Sequence, residues 1–261
     1  MNLDLIESLE DDIKIIEMLV KIDKIESIFE HACKYNKIEL LKVIIRFYKN
    51  SINENVILRA CENNNIEIVK ELIKTFGKDL PINNYAFIWG CRNNNIEIVK
   101  ELIKIYGNEL CIDCGIYRAC SYNNTEIVNI LFDIDLLNID DTFIFIACNN
   151  NNIEIVKLLI KKYSINLPIH AGAIYCACRN NNIEICKELI KVFGNKLPIN
   201  HRTIYYVIYY RKIDFIKMII SNYSNYILND SLLLDEKYLF DIFKKIFPQF
   251  NLSEIDYYKN M

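Results

Sequence analysis

Cys61-Glu-Asn-Asn-Asn-Ile-Glu-Ile-Val-Lys-Glu-Leu-Ile-Lys74 decides the fold, because it returns almost unchanged as Cys91-Arg-Asn-Asn-Asn-Ile-Glu-Ile-Val-Lys-Glu-Leu-Ile-Lys104. It returns again from Cys148, and from Cys178 as CRNNNIEICKELIK. Weaker copies start at Cys33 (CKYNKIELLKVII) and Cys120 (CSYNNTEIVNILF), and a seventh from Ile208 (IYYRKIDFIKMII) keeps the apolar spacing without the cysteine. The six aligned cysteines are spaced by 28, 30, 29, 28 and 30 residues, which is a repeat period.

Inside one unit the apolar positions read as two helices. Ile66, Val69 and Ile73 share a face with Ile68 and Leu72, while Lys70, Glu71 and Lys74 project elsewhere. Asn64 or Asn65 can cap this second helix, and Glu67 in its first turn suits the positive end of the helix dipole. Asparagine also tolerates positive φ, so the Asn run can close one helix and open the next. The first helix covers Val56 to Cys61, where Ala60 and Cys61 are small enough for close approach. Gly77, Gly107 and Gly194 stand where a left-handed helix end is expected, and LPIN (Leu80 to Asn83, Leu197 to Asn200) or LPIH (Leu167 to His170) leads into the next unit.

A two-helix unit of about 30 residues cannot bury its apolar face alone, so the units must stack. The reading is an all-α solenoid of helix–turn–helix repeats with helical caps: 1–21 an N-terminal capping helix, 22–222 about seven repeats, and 223–261 a C-terminal helical cap. Leu232 to Phe247 is helical in pattern and Pro248 marks its stop.

The 261 residues are 52% hydrophobic and 25% charged, a balance that excludes a disordered chain. A net charge of −3 with interleaved signs presents no basic field for nucleic acid. The opening MNLDLIESLEDDIK is acidic where a secretion signal is basic and then apolar, and Ile204 to Tyr210, among the longest apolar runs, is far short of the ~20 residues of a membrane span. The expectation is a cytoplasmic protein without a membrane partner. Cysteines at equivalent positions of neighbouring repeats cannot all pair, so they read as reduced, packed thiols. The richness in Asn, Ile, Lys and Tyr reads as the imprint of an AT-rich genome, which lowers the design information carried by the Asn runs.

These residues resemble the ankyrin repeats, whose consensus order is T-P-L-H-x-A-A-x-x-G-H-x-E-I-V-x-x-L-L. Ala60-Cys61 matches the paired alanines, Asn64-Asn65 the Gly-His turn, and Glu67-Ile68-Val69 with Leu72-Ile73 the E-I-V…L-L run. The same register fits Ala32-Cys33, Gly90-Cys91, Ala119-Cys120, Ala147-Cys148 and Ala177-Cys178, over about Ile22 to Asn222. The T-P-L-H tetrapeptide is absent, with Asn55-Val-Ile-Leu58 in one repeat and Cys114-Gly-Ile-Tyr117 in another. The unit is also shorter than the usual ~33 residues, so the β-hairpin finger of the family is expected to shrink to a plain loop. Asparagine-rich repeats of this kind resemble those of large DNA viruses and amoebae, which points to such a source, a giant virus first.

Catalytic chemistry has little to stand on. No G-x-S-x-G, HExxH, P-loop or G-x-G-x-x-G is present, and six scattered glycines build no phosphate cradle. Glu67, Glu97, Glu154 and Glu184 recur because the helix start recurs. His31, His170 and His201 lie in different repeats; His170 and His201 fall in adjacent loops, too few ligands for a metal. The single CxxC, Cys111-Ile-Asp-Cys114, lacks further zinc ligands and a βαβ setting, so it reads as structural, with reversible oxidation as the alternative. No enzyme and no cofactor are expected.

Binding is the remaining function. Just before the small pair, the residue varies as Arg59, Trp89, Arg118, Ile146, Cys176 and Tyr206; just after it, as Glu62, Arg92, Ser121, Asn149, Arg179 and Tyr209. In the resembled fold this part of the first helix faces the concave groove, and Trp, Tyr and Arg are the hot-spot types. The candidate partner-binding set is therefore Arg59, Glu62, Trp89, Arg92, Arg118, Ser121, Arg179, Tyr206 and Tyr209. Ile146, Cys176 and Trp89 also admit a core reading. The resemblance implies a monomeric protein-interaction scaffold or adaptor, with a host protein as partner if the source is viral. The alternatives are a ubiquitin-ligase adaptor using its C-terminal segment and a self-associating structural protein using its Tyr-rich C-terminal half.

Overall fold

The computed structural model describes residues 25–134, 139–210, 212–223, 236–246 and 248; the expected capping helix over 1–21 lies outside them. The described residues are helical, with no strand among them. They form two compact units, one ending at Leu137 and one beginning at Asn138.

The first unit contains four helix pairs: α1 (Ile25–Lys34) with α2 (Ile38–Tyr48), α3 (Glu54–Glu62) with α4 (Ile66–Phe76), α5 (Asn84–Arg92) with α6 (Ile96–Tyr106), and α7 (Ile112–Ser121) with α8 (Thr125–Phe132). The first helices pack on one another in chain order, α1 on α3 on α5 on α7, more closely than the second helices do. The small pairs explain this, since Ala60, Cys61, Cys91, Ala119 and Cys120 are all fully buried. Ile68, Leu72, Ile98, Leu102, Ile127 and Leu131 fill the space between first and second helices. Each such buried aliphatic side chain contributes about 1.5–3 kcal/mol.

The second unit repeats the plan. It pairs α9 (Asp141–Asn149) with α10 (Ile153–Tyr163), α11 (Ala171–Arg179) with α12 (Ile183–Phe193), and α13 (His201–Tyr209) with α14 (Ile213–Tyr223). A last helix, α15 (Glu236–Ile246), packs on α13 and α14 and buries Ile242 and Phe243. It forms within the stretch expected to be helical.

The Asn run closes one helix and opens the next, as its tolerance of positive φ implies. In the α3–α4 turn the Asn65 N–H donates to the Ala60 carbonyl and the Asn64 N–H to the Cys61 carbonyl, with Asn64 at φ 61°. That pattern is the Schellman helix end. The same six-to-one bond joins Asn95 to Gly90, Asn124 to Ala119, Asn152 to Ala147 and Asn182 to Ala177. Asn36, Asn94, Asn123, Asn151 and Asn181 hold the positive φ in the other repeats. The third residue then caps the following helix: Asn95, Asn152 and Asn182 accept from the N–H groups of Ile98, Ile155 and Ile185.

A third task of these residues is to tie repeats together. Asn124 Nδ2 donates to the Cys91 and Arg92 carbonyls at 2.7 and 2.9 Å, satisfying the end of α5 one repeat back. Asn93 does this for Cys61 and Glu62, and Asn180 for Cys148 and Asn149. Asn95 and Asn182 also donate to the side-chain oxygens of Asn64 and Asn151.

The second helices end differently from the expectation. Gly77, Gly107 and Gly194 have positive φ, but their ψ values of −128°, −115° and −134° are extended rather than left-handed helical. Each starts a single 3₁₀ turn, as at Gly77–Asp79, followed by a buried leucine (Leu80, Leu110 or Leu197) in extended backbone. This short turn replaces a hairpin finger, as the reduced repeat length implies.

Candidate partner-binding surface

Burial of the small pair on each first helix fixes what its other side exposes. Stepping by four and then three residues along α5, Tyr85, Trp89 and Arg92 lie on one face; Tyr85 is 65% exposed, and Trp89 and Arg92 are half-buried. The Arg92 guanidinium sits 4.2 Å from the Trp89 ring centroid and 4.8 Å from that of Tyr122, in the turn of the next repeat. The charge is thus held between two aromatic faces.

The neighbouring positions in the first unit carry different chemistry. Arg59 donates to Glu62 at 2.7 Å and lies 3.7 Å from Glu30, and these contacts raise its already high pKa further, the Glu62 hydrogen bond first. Arg118 lies 6.0 Å from the Tyr117 ring, and Ser121 Oγ donates to the Tyr117 carbonyl. Arg59 is therefore compensated by acids, whereas no carboxylate lies within salt-bridge distance of Arg92 or Arg118 among the described ion pairs.

In the second unit α11, α13 and the turn after α13 bring together Tyr175, Arg179, Arg202, Tyr206, Tyr209 and Tyr210. The Tyr206 ring is 5.7 Å from Tyr175 and 4.6 Å from Tyr210, and Tyr209 stacks on Tyr205 at 5.4 Å. Arg202 lies over Tyr175 at 4.8 Å, and Arg179 donates to Asn149 Oδ1 at 2.7 Å. The Tyr206 phenol is pushed up mainly by burial, with the nearby Tyr210 adding to it. Ile146 and Cys176, in the same column as Trp89, are buried, so the core reading holds for those two.

The recurring chemistry elsewhere is structural. The pairs Lys70–Glu97 and Lys157–Glu184 link second helices of successive repeats, the latter at 2.8 Å. His170 Nδ1 accepts from the Gly172 N–H at 2.8 Å and so caps α11, while its ring packs near Phe145. The His201 side chain, its expected neighbour, lies outside the described residues. No cluster of three or more metal-ligating side chains occurs among the described residues.

A sequence model described as ankyrin repeats (3 copies) matches residues 29–114, 87–171 and 116–200. The chain belongs to the ankyrin-repeat family. None of the curated proteins and none of the solved structures matches it. Ankyrin repeats generally mediate protein–protein interaction, and no helix among the described residues is long and apolar enough to cross a membrane.

Three exposed side chains of these ankyrin repeats lie outside the partner-binding set that the sequence suggests. Tyr85, Tyr117 and Tyr122 flank the chosen columns and are 65%, 44% and 45% exposed. The signal for Tyr85 was present, since it stands four residues before Trp89. Tyr122 had none, because it occupies the slot of a turn asparagine.

Cysteine chemistry divides sharply. Cys33, Cys61, Cys91, Cys120, Cys148, Cys176, Cys178 and Cys186 are buried and form no disulfide. Burial pushes the thiols of Cys33 and Cys120 up to about 12, with Glu30 adding to the effect at Cys33. Cys111 and Cys114 are instead joined by a disulfide at the start of α7.

Proposed function

We propose that this chain is a non-enzymatic interaction scaffold that grips a partner protein with the exposed side of its first helices. The observation that carries the reading is Arg92 between Trp89 and Tyr122, an ordered cation–aromatic group on the surface of a scaffold whose packing positions hardly change from repeat to repeat. An arginine held on aromatic planes loses little side-chain freedom on binding, which favours a hot spot. Arg118, Arg179, Tyr206 and Tyr209 extend the surface within their own units, while Arg59 and Glu62 neutralise one another at its edge.

The scaffold works as a monomer in the cytoplasm, that of the host if its source is a giant virus, where the partner is then a host factor. The test is capture of partner from that cell by the parent and by a Trp89→Ala, Arg92→Ala double variant. The variant should lose at least about 2 kcal/mol of binding, roughly 30-fold. Its unfolding midpoint should stay near that of the parent, because both side chains are partly exposed. Normal capture by a stable variant would move recognition elsewhere.

A second reading is supported by Tyr209 and Tyr210, which are 48% and 56% exposed. Self-association through them predicts a dimer in sizing experiments that Tyr209→Ser, Tyr210→Ser returns to a monomer.

A further inference from the structure

We propose that Cys111 and Cys114 form a reversible dithiol–disulfide site that exchanges with low-molecular-weight thiols and disulfides of the glutathione class. Three observations carry this. Eight of the ten cysteines are buried thiols outside any disulfide, sheltered from reagents in solution, whereas Cys111 and Cys114 are half-buried and bonded to each other. Reactive and inert sulfur are thus segregated within one chain.

The second observation is a broken pattern. Asn53, Asn83, Asp140, His170 and Asn200 each place a side-chain acceptor on the first turn of α3, α5, α9, α11 and α13. At α7 the capping position is Cys111, which makes no side-chain cap bond, and Cys114 is the third helical residue. Opening the bond frees sulfur at the positive end of a ten-residue helix, where N–H groups and dipole favour the thiolate that exchange requires.

The third is the size of the ring. The bond spans a separation of three residues, so it restricts the unfolded chain far less than a long-range bridge would. The neighbouring pairs α3–α4 and α5–α6 fold on the same plan with no disulfide. A staple is not needed here.

The chemistry balances as two exchanges. One thiolate of the reduced pair attacks a sulfur of glutathione disulfide, forming a mixed disulfide and expelling one glutathione thiolate. The second cysteine, as thiolate, attacks the protein-bound sulfur, closing Cys111–Cys114 and expelling the second glutathione. The two protein protons leave on two glutathione thiols, and the pair is oxidised by two electrons as one disulfide is reduced. Cys114 holds the helix position that Tyr85 and Arg202 hold in other repeats, so the exchange also alters the proposed partner-binding face. That consequence rests on the proposed function; the exchange itself does not.

The full chain is equilibrated in glutathione buffers from fully reducing to fully oxidising, quenched with acid, alkylated in denaturant and mapped by mass spectrometry. The Cys111–Cys114 peptide should pass from two alkylated thiols to one bridge in a single transition within that range. The other eight cysteines should stay alkylatable throughout. Cys114→Ser and Cys111→Ser should each trap one glutathionyl group that the parent does not accumulate. A pair that stays wholly reduced or wholly bridged in every buffer overturns the proposal, as does a folded Ser variant that takes up no glutathione. Loss of exchange with partner capture intact would refute this site and leave the binding surface standing.

Discussion

Replacing Asn124 by alanine removes the two hydrogen bonds by which α8 closes the end of α5. The Asn124 amide donates at 2.7 and 2.9 Å to the Cys91 and Arg92 carbonyls, which belong to the last turn of α5 and lack partners within the helix. Each bond contributes a net ~1 kcal/mol, and Asn124 is only 9% exposed, so water replaces the lost donor poorly. The expected cost is about 2–3 kcal/mol, read as a shift of the urea midpoint at unchanged slope. Asn63 provides the control, because its exposed amide donates to the Arg59 carbonyl of its own helix. Asn63→Ala should cost less than about 0.5 kcal/mol, as surface changes do. A loss at Asn124 no larger than that at Asn63 would refute the claim that the Asn run couples repeats.

Three further outcomes follow from packing and titration. Ser164 stands where other repeats use glycine, at φ 49° and ψ −130°, so Ser164→Gly should raise stability by about 1 kcal/mol in a thermal melt, and a lowered midpoint would contradict the strained backbone. Ile68 is fully buried, so Ile68→Asp should cost more than about 4 kcal/mol, and a circular dichroism melt within a few degrees of the parent would place it outside the core. The Cys33 and Cys120 thiols keep their protons to about pH 12 when folded but lose them from about pH 9 when unfolded. Between those limits the unfolded state binds fewer protons, so stability should fall as pH rises from 9, and a flat urea midpoint from pH 8 to 10.5 would argue against thiol burial.

The helix pairs were legible because each rests on chemistry visible in one dimension. The apolar spacing of Ile66 to Ile73, the small Ala60-Cys61 pair and the Asn turn each specify the same two-helix unit, and all three appear at their expected places. The interrepeat bonds of Asn93 and Asn124 were not legible, since the donor sits in the first Asn slot in one repeat and the third in the other. At the surface, reading one column per repeat found Trp89 and Arg92 but passed over Tyr85, because a helical face is defined by steps of three and four and not by a single register. The burial of Ile146 and Cys176 depends on what packs over each helix, which the column cannot show. The bond between Cys111 and Cys114 likewise needed their placement at the cap and in the first turn of α7, since the family register alone assigned Cys114 to a threonine position.

The central claim is that partner recognition belongs to the exposed side of the first helices. Oxidative footprinting of the captured complex against the free chain tests it most directly, because tyrosine and tryptophan report their own solvent access. The account predicts that Tyr85, Trp89, Tyr117 and Tyr122 lose reactivity in the complex, while Ile103 and Ile105 on the second helix α6 keep theirs. Protection of α6 with unchanged labelling of Trp89 and Tyr85 would contradict it and put the partner on the opposite side of the repeats.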